Sequence, residues 1–158
     1  MRKLSSLILL IVAFSLAGCA ATGPLFQKAS PPDHGKALIY IYRPSSFMLG
    51  GRDAYFYIND KNIADVSAQG YTQIYLEPGT YNLKQKWPID LMGFKNLELP
   101  LIVEPNNTYY FRFYSGAGAA GGCGPQNMVG TCFEWSLQQV SWADAMPEIS
   151  HCHYQTAK

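Results

Sequence analysis

The sequence predicts an all-β protein, an antiparallel β-sandwich of about eight strands with one short C-terminal helix. After Lys36, short runs of Tyr, Phe, Ile and Val alternate with turn residues at intervals of roughly ten, as in sandwiches and barrels. Aromatic residues make up 14% of the chain. Because aromatic and β-branched residues are favoured in strands, this composition supports the same fold class.

The first three predicted strands cover residues 37–43, 53–58 and 62–66. The first is apolar on both alternating faces, so we expect it in the middle of a sheet. It ends before Pro44, which cannot donate to a ladder. The turn Asn59-Asp60-Lys61 predicts a tight hairpin between the second and third strands.

The next three predicted strands cover residues 71–76, 81–87 and 96–103. The first two flank Glu77-Pro78-Gly79-Thr80, where Pro at the second place and Gly at the third predict a type II turn and a second hairpin. Pro100 favours an edge position for the third of these strands.

The last two predicted strands cover residues 108–115 and 132–140. A short helix is expected to follow, because Ser141 and Asp144 have the spacing of a capping box. Pro147 then keeps this helix short or bends it.

The first 18 residues have a basic start, a short apolar run and small residues before Cys19, as a secretory signal does. Leu16-Ala17-Gly18-Cys19 resembles the lipobox of bacterial lipoproteins. That resemblance implies that the Cys19 thiol takes a diacylglycerol and that the signal is removed before it. Ala20 and Ala21 follow, instead of the Asp that usually retains a lipoprotein in the inner membrane. We therefore expect a membrane anchor at the periplasmic face of the outer membrane.

Four segments are predicted: a signal peptide (1–18), a lipidated flexible tether (19–36), the β-sandwich (37–150) and a polar tail (151–158). Without the signal, ten basic and eleven acidic side chains leave a charge near −1. A nucleic-acid partner would require a basic patch or stripe, and the sequence shows none.

The glycine-rich loop over residues 116–131 contains Gly116-Ala117-Gly118-Ala119-Ala120-Gly121, which matches the G-x-G-x-x-G pattern of dinucleotide-binding proteins. In those proteins the third glycine opens a helix within a βαβ unit. Here Gly-Cys-Gly-Pro follows it, which cannot propagate a helix. The sequence therefore predicts no nucleotide and no other cofactor.

Three thiols remain once Cys19 is acylated, and the pairing Cys123–Cys132 is favoured because it would close the glycine-rich loop. Cys132–Cys152 is the alternative, and either leaves one cysteine over. In His151-Cys152-His153, an extended chain would point the two histidines away from the cysteine, so we expect no metal site there. No histidine lies in the predicted core to activate a nucleophile, so we expect no catalytic residues and no enzyme.

Tyrosines and arginines lie together on two predicted strands. Their rings and guanidinium groups could form an exposed platform for an envelope protein or a glycan, since Tyr is enriched where one end is apolar and the other wet. The candidate residues of this surface are Tyr42, Arg43, Tyr110 and Arg112.

Several segments together resemble DUF2846, a family of small bacterial envelope lipoproteins with a domain of unknown function. They are "GKALIYIYRP", the hairpin with its Asn-Asp turn, "YLEPGTYNL", "VEPNNTYYFRF" and the closing "WSLQQV". The resemblance covers most of residues 35–150. It implies a small β-domain in the cell envelope and brings no catalytic residues with it.

These observations predict a non-enzymatic, lipid-anchored envelope lipoprotein that acts as a binding or accessory module. The alternative is a protein that binds an envelope polymer, peptidoglycan or another glycan, or that hydrolyses it weakly. In that alternative, two carboxylates brought together by the fold would act on the glycan.

Overall fold

Nine strands and one helix make up the part of the chain that the computed structural model describes, residues 20–32, 35–46, 50–87, 96–118 and 132–158. Their bounds are β1 (Ala37–Arg43), β2 (Ala54–Ile58), β3 (Lys61–Val66), β4 (Gly70–Leu76), β5 (Gly79–Lys86), β6 (Leu97–Val103), β7 (Thr108–Gly118), β8 (Cys132–Val140), α1 (Trp142–Ile149) and β9 (His153–Tyr154).

The strands form a sandwich of two sheets, with the order β8-β7-β1-β4-β9 in one and β3-β2-β5-β6 in the other. The predicted all-β sandwich with a short C-terminal helix is therefore confirmed. β1 lies in the middle of the five-stranded sheet, and β6, which contains Pro100, lies at an edge of the other, as expected. The sheets are mostly antiparallel, but β1 pairs with β7, and β4 with β9, in parallel.

The turn between β2 and β3 is the predicted hairpin. Asn59 and Asp60 have φ angles of 47° and 68°, and β2 pairs antiparallel with β3 on either side of them. Two central residues at positive φ are typical of the type I′ turn, whose twist matches that of the flanking strands.

The second predicted hairpin is wrong. β4 pairs with β1 and β9, whereas β5 pairs with β2 and β6, so Glu77 and Pro78 carry the chain from one sheet to the other. Gly79 does not have the positive φ that a type II turn requires, because it already begins β5. Turn chemistry predicts a reversal of the chain, but the sheet that the next strand joins depends on distant residues.

The main core lies between the two sheets, where side chains of both inner faces meet. Phe56 of β2 packs edge-on against Phe113 of β7, with ring centroids 5.7 Å apart. The other buried members are Ala37, Ile39, Ile41, Ala54, Ile58, Ile63, Ala64, Val66, Leu83, Leu101, Val103 and Phe111.

A second core covers the outer face of the five-stranded sheet. Its buried residues are Leu38, Tyr40, Tyr42, Tyr71, Tyr110, Ala145, Ile149 and Cys152. Two segments cover this face: α1 and residues 20–32, which we call the strap. The strap is most of the described part of the segment 19–36, which was expected to be a flexible tether. The strap packs against the five-stranded sheet because the Phe26 ring contacts the rings of Tyr40 and Tyr71.

The C-terminal end is also part of the fold rather than a free polar tail. α1 begins as predicted, with the Ser141 hydroxyl accepting a hydrogen bond from the backbone N–H of Asp144 at 3.2 Å. Cys152 is then buried, and β9 pairs in parallel with the start of β4. In the described residues, no helix has the length and apolar content needed to cross a membrane.

Candidate functional site

Tyr42 and Arg43, two of the four residues of the predicted platform, lie on opposite faces of β1. Successive side chains of a strand alternate between faces, so Tyr42 belongs to the outer core whereas Arg43 lies between the sheets. Both side chains are fully buried. Adjacent positions on one strand therefore cannot supply a single exposed surface. The alternation of side chains along a strand is known from the sequence alone and already excludes this arrangement.

Tyr110 does lie on the outer face, but it is covered. Its ring stacks on Tyr40, with centroids 5.2 Å apart and planes 2° from parallel, and Trp142 of α1 lies 5.3 Å away. Burial raises the pKa of Tyr110 to about 12. The two tyrosines of the predicted exposed platform belong instead to a second core, because the strap and α1 shield them from water.

Arg112 is the partly exposed member of the four, and it joins a polar network with α1. Its guanidinium donates to one carboxylate oxygen of Glu148 at 2.5 Å, while the Tyr42 hydroxyl donates to the other at 3.0 Å. The Cys152 thiol lies 3.5 Å from the Glu148 carbonyl. Burial, and then the bond to Glu148, raise the pKa of Tyr42. Glu148 was missed at the sequence level because its partners are far away in sequence.

Arg43 is a charged side chain in the interior of the sandwich. Its Nη1 donates to the carbonyls of Arg52, at 2.5 Å, and Val66, at 3.4 Å, and so links β1 to the other sheet. The guanidinium carbon lies 5.7 Å from the Trp87 ring and 5.6 Å from the Phe113 ring, within cation–π range. Burial lowers the pKa of Arg43 to about 10, so it stays charged at neutral pH and ties the two sheets together.

The His151-Cys152-His153 segment is not one extended strand, because His151 lies in the turn after α1 and β9 begins only at His153. Cys152 is a free thiol buried in the outer core, so the Cys132–Cys152 alternative is not formed. His151 is exposed, and Nδ1 of His153 lies 2.6 Å from the carbonyl oxygen of Gly23 in the strap. Within the described ranges, no three His, Cys, Asp or Glu side chains are placed to share a metal ion.

Among the side chains that the structure describes, two aromatic ones on the outer face are substantially exposed, and both adjoin the strap. Trp142 is 41% and Tyr75 43% exposed. Lys28 of the strap lies 5.2 Å from the Trp142 ring centroid, and the Tyr75 hydroxyl donates to the Ser30 carbonyl at 3.0 Å. These two rings were not singled out from the sequence, because their exposure depends on where the strap and α1 come to lie.

The first two glycines of the G-x-G-x-x-G pattern lie in β7. Gly116 and Gly118 stand opposite Glu134 and Cys132 of β8 in an antiparallel pair. A dinucleotide fingerprint instead leads from a strand into a helix. Gly121 and the rest of the loop through residue 131 lie outside the described residues, as do Cys19 and Cys123. The side chain of Cys132 is likewise not described.

The sequence model of a family described as a protein of unknown function, DUF2846, matches residues 33–124. The chain belongs to the DUF2846 family. A comparison with curated proteins found no match. No catalytic activity comes with the DUF2846 match, which spans β1 to β7 and thus most of both sheets. The strap and α1, which cover the outer face, lie beyond the matched DUF2846 range, as do β8 and β9.

Proposed function

We propose that this protein is a non-enzymatic lipoprotein, held by acyl chains on Cys19 at the periplasmic face of the outer membrane, and that its domain is a binding or accessory module of the envelope. The observation that carries the proposal is Leu16-Ala17-Gly18-Cys19, placed after a basic start and an apolar run. Each buried CH₂ contributes about 0.8 kcal/mol, so several acyl chains hold a protein on a membrane almost irreversibly.

The polar groups described above support a structural rather than a catalytic role. Glu148 accepts hydrogen bonds from Tyr42 on one carboxylate oxygen and from Arg112 on the other. Burial raises the pKa of the Cys152 thiol to about 12, so it is neutral at physiological pH and a poor nucleophile. These features are typical of side chains that hold elements together.

The exposed aromatic pair beside the strap supports a binding role. Trp142 and Tyr75 present ring surface to solvent, and Lys28 adds a positive charge over the Trp142 ring. Tryptophan and tyrosine dominate the residues on which protein interfaces depend. We propose that a protein of the envelope is the partner of this surface.

The competing function is binding of an envelope polymer, peptidoglycan or another glycan, or its weak hydrolysis. The half-exposed ring of Trp142 favours it, since an aromatic ring with one apolar face suits a sugar as well as a protein. Both functions use the same surface. They differ in the partner, which is an envelope protein in the first and an envelope glycan in the second.

The anchor is tested by comparing Cys19→Ser with Cys123→Ser, a control that changes another cysteine. We expect the unaltered chain and the control to carry acyl mass on the peptide that begins with Cys19, and to stay with membranes after a carbonate wash. Cys19→Ser should be released. Retention of Cys19→Ser on the membrane would overturn the lipoprotein proposal.

The partner is tested by crosslinking in cells, followed by purification in detergent and mass spectrometry. We expect one envelope protein in stoichiometric amount, lost in Trp142→Ala and retained in Ile102→Ala, which truncates a 71% exposed side chain on β6 of the other sheet. Recovery of glycan fragments instead would favour the competing function. Unchanged recovery from Trp142→Ala would rule out this surface.

A further inference from the structure

The strap is bonded to the domain along its whole length. Near its start the Ala21 N–H donates to the Ala68 carbonyl at 3.1 Å, in its middle Phe26 N–H donates to the Cys152 carbonyl at 2.9 Å, and near its end Ala29 N–H donates to the Tyr40 hydroxyl at 2.7 Å. The Tyr154 N–H donates in return to the Pro24 carbonyl at 2.8 Å. Such a segment does not behave as a flexible linker.

Packing adds to these hydrogen bonds. The Phe26 ring lies edge-on to Tyr40 and Tyr71, with centroids 5.5 and 5.1 Å away. Gly23 approaches β9 so closely that a Cβ there would overlap the backbone carbonyl of Tyr154. Since only glycine fits at this position, Gly23→Ala, which adds a single methyl group, should loosen the strap.

The strap begins at one end of the sandwich. Ala20 forms a bridge with Ala68, which precedes Gly70, the partner of Arg43 at the end of β1. Arg52, whose carbonyl accepts from Arg43, lies at this same end and is exposed. We call this end of the sandwich the anchor end.

The opposite end, which we call the far end, carries the turn at Asn59-Asp60. Lys61 follows this turn and is exposed. β2 runs between the two ends, and its five residues span roughly 17 Å at about 3.3 Å per residue.

We propose that the strap fixes the orientation of the domain on the membrane, with the anchor end against phospholipid headgroups and the far end directed away from them. This inference rests on the proposed acylation of Cys19. Cys19 is bonded directly to Ala20, and consecutive Cα atoms are about 3.8 Å apart, so the anchor has almost no slack. A free tether of 17 residues would instead span roughly 20–25 Å and leave the domain unoriented.

The test uses the full lipidated chain in vesicles of phosphatidylethanolamine and phosphatidylglycerol, with a benzophenone amino acid in place of Arg52 or of Lys61. We expect lipid adducts at position 52 and background labelling at position 61. A flexible Gly-Ser insert between Cys19 and Ala20 should remove the difference. Equal labelling at both positions of the unaltered chain would overturn the proposal, as would a difference that survives the insert.

Gly23→Ala supplies an independent arm, with Gly79→Ala as its control, because a Cβ at Gly79 meets only ordinary contacts. We expect Gly23→Ala to speed amide hydrogen exchange at Phe26 and to reduce the contrast between positions 52 and 61, while Gly79→Ala leaves both unchanged. Unaltered exchange and contrast in Gly23→Ala would count against the strap as the orienting element.

Failure of the orientation and failure of the anchor give different results. If Cys19 carries no acyl mass and the chain does not float with the vesicles, both proposals are overturned. If the chain is acylated and floats but labels equally at positions 52 and 61, the lipoprotein proposal stands and the fixed orientation fails.

Discussion

At the scale of single residues, Glu148 joins α1 to the outer face of the five-stranded sheet. Its side chain accepts hydrogen bonds from β1 and β7, through Tyr42 and Arg112. Its backbone carbonyl lies beside the thiol of Cys152, which leads into β9. One residue of α1 thus contacts β1, β7 and the residue that precedes β9, so a change there reaches well beyond the helix.

The first prediction concerns Glu148→Ala. Because the change leaves Tyr42 and the partly buried Arg112 without their acceptor, the free energy of unfolding should fall by about 1–3 kcal/mol in urea denaturation. Glu148→Gln keeps an oxygen for Tyr42 and should cost less. Glu134→Ala, an exposed position on β8, is the control. Equal stability of Glu148→Ala and the control would contradict the network.

At the scale of elements, two of the crossings between the sheets begin with the same dipeptide, Glu-Pro. Glu77-Pro78 leads from β4 to β5, and Glu104-Pro105 leads from β6 to β7. A tyrosine hydroxyl binds the backbone at each crossing: Tyr81 donates to the Glu77 carbonyl at 2.9 Å, and Tyr109 accepts from the Glu104 N–H at 3.0 Å. These bonds resemble the tyrosine corner of immunoglobulin-like sandwiches.

The second prediction is that these two hydroxyls stabilise the crossings. Tyr81→Phe and Tyr109→Phe remove one hydrogen bond each and should each lower the free energy of unfolding by about 0.5–1.5 kcal/mol. Tyr57→Phe on β2 is a matched control away from both turns. Thermal or urea unfolding measures the difference, and a cost no larger than that of Tyr57→Phe would show that the turns do not depend on these bonds.

At the scale of the whole molecule, we expect the outer core to make the protein less stable as the pH rises into the alkaline range. Burial raises the pKa of Cys152 and of Tyr110, each to about 12, and also raises the pKa values of Tyr40, Tyr42 and Tyr71. In the unfolded chain a thiol loses its proton above about pH 8.5 and a phenol above about pH 10. The unfolded state therefore binds fewer protons than the native state in this range.

The third prediction follows from that sign. The free energy of unfolding should be unaffected by these groups below about pH 8 and should fall as the pH rises towards 12, by about 1.4 kcal/mol per pH unit for each group that is ionised only when unfolded. Urea unfolding followed with tyrosinate absorbance measures it. Tyr110→Phe should make the decline shallower. A urea midpoint that is constant to about pH 11 would disagree with the buried phenols.

The parts of the fold that were predicted correctly are those encoded locally. The two apolar faces of β1 indicated a central strand, Pro100 indicated an edge, and Asn59-Asp60 indicated a hairpin. The crossing at Glu77-Pro78 was misread as a hairpin, because a reversal of the chain looks the same whether the next strand pairs with the last one or joins another sheet.

The candidate site was harder to predict because it depends on what covers the outer face. Phe26 is a single aromatic residue in a Pro-rich segment, and no periodicity marks it as a core residue. Its partners Tyr40 and Tyr71 come from two different strands. A signal was nevertheless present, since a strand that is apolar on both faces, as β1 is, needs a covering layer on each side.

The bridge between Leu25 and His153 has a consequence for how the chain folds. It joins the first described segment to the last strand, and the parallel pair of β1 and β7 also links distant parts of the sequence. Topologies dominated by such long-range pairs fold slowly, in roughly milliseconds to seconds. The packing of the outer face cannot be completed until the C-terminal residues of β9 have paired with the strap. A chain shortened before β9 would lose the Tyr154 ring that packs on Tyr71 and the Tyr154 N–H that donates to Pro24, and should therefore be prone to aggregation and proteolysis.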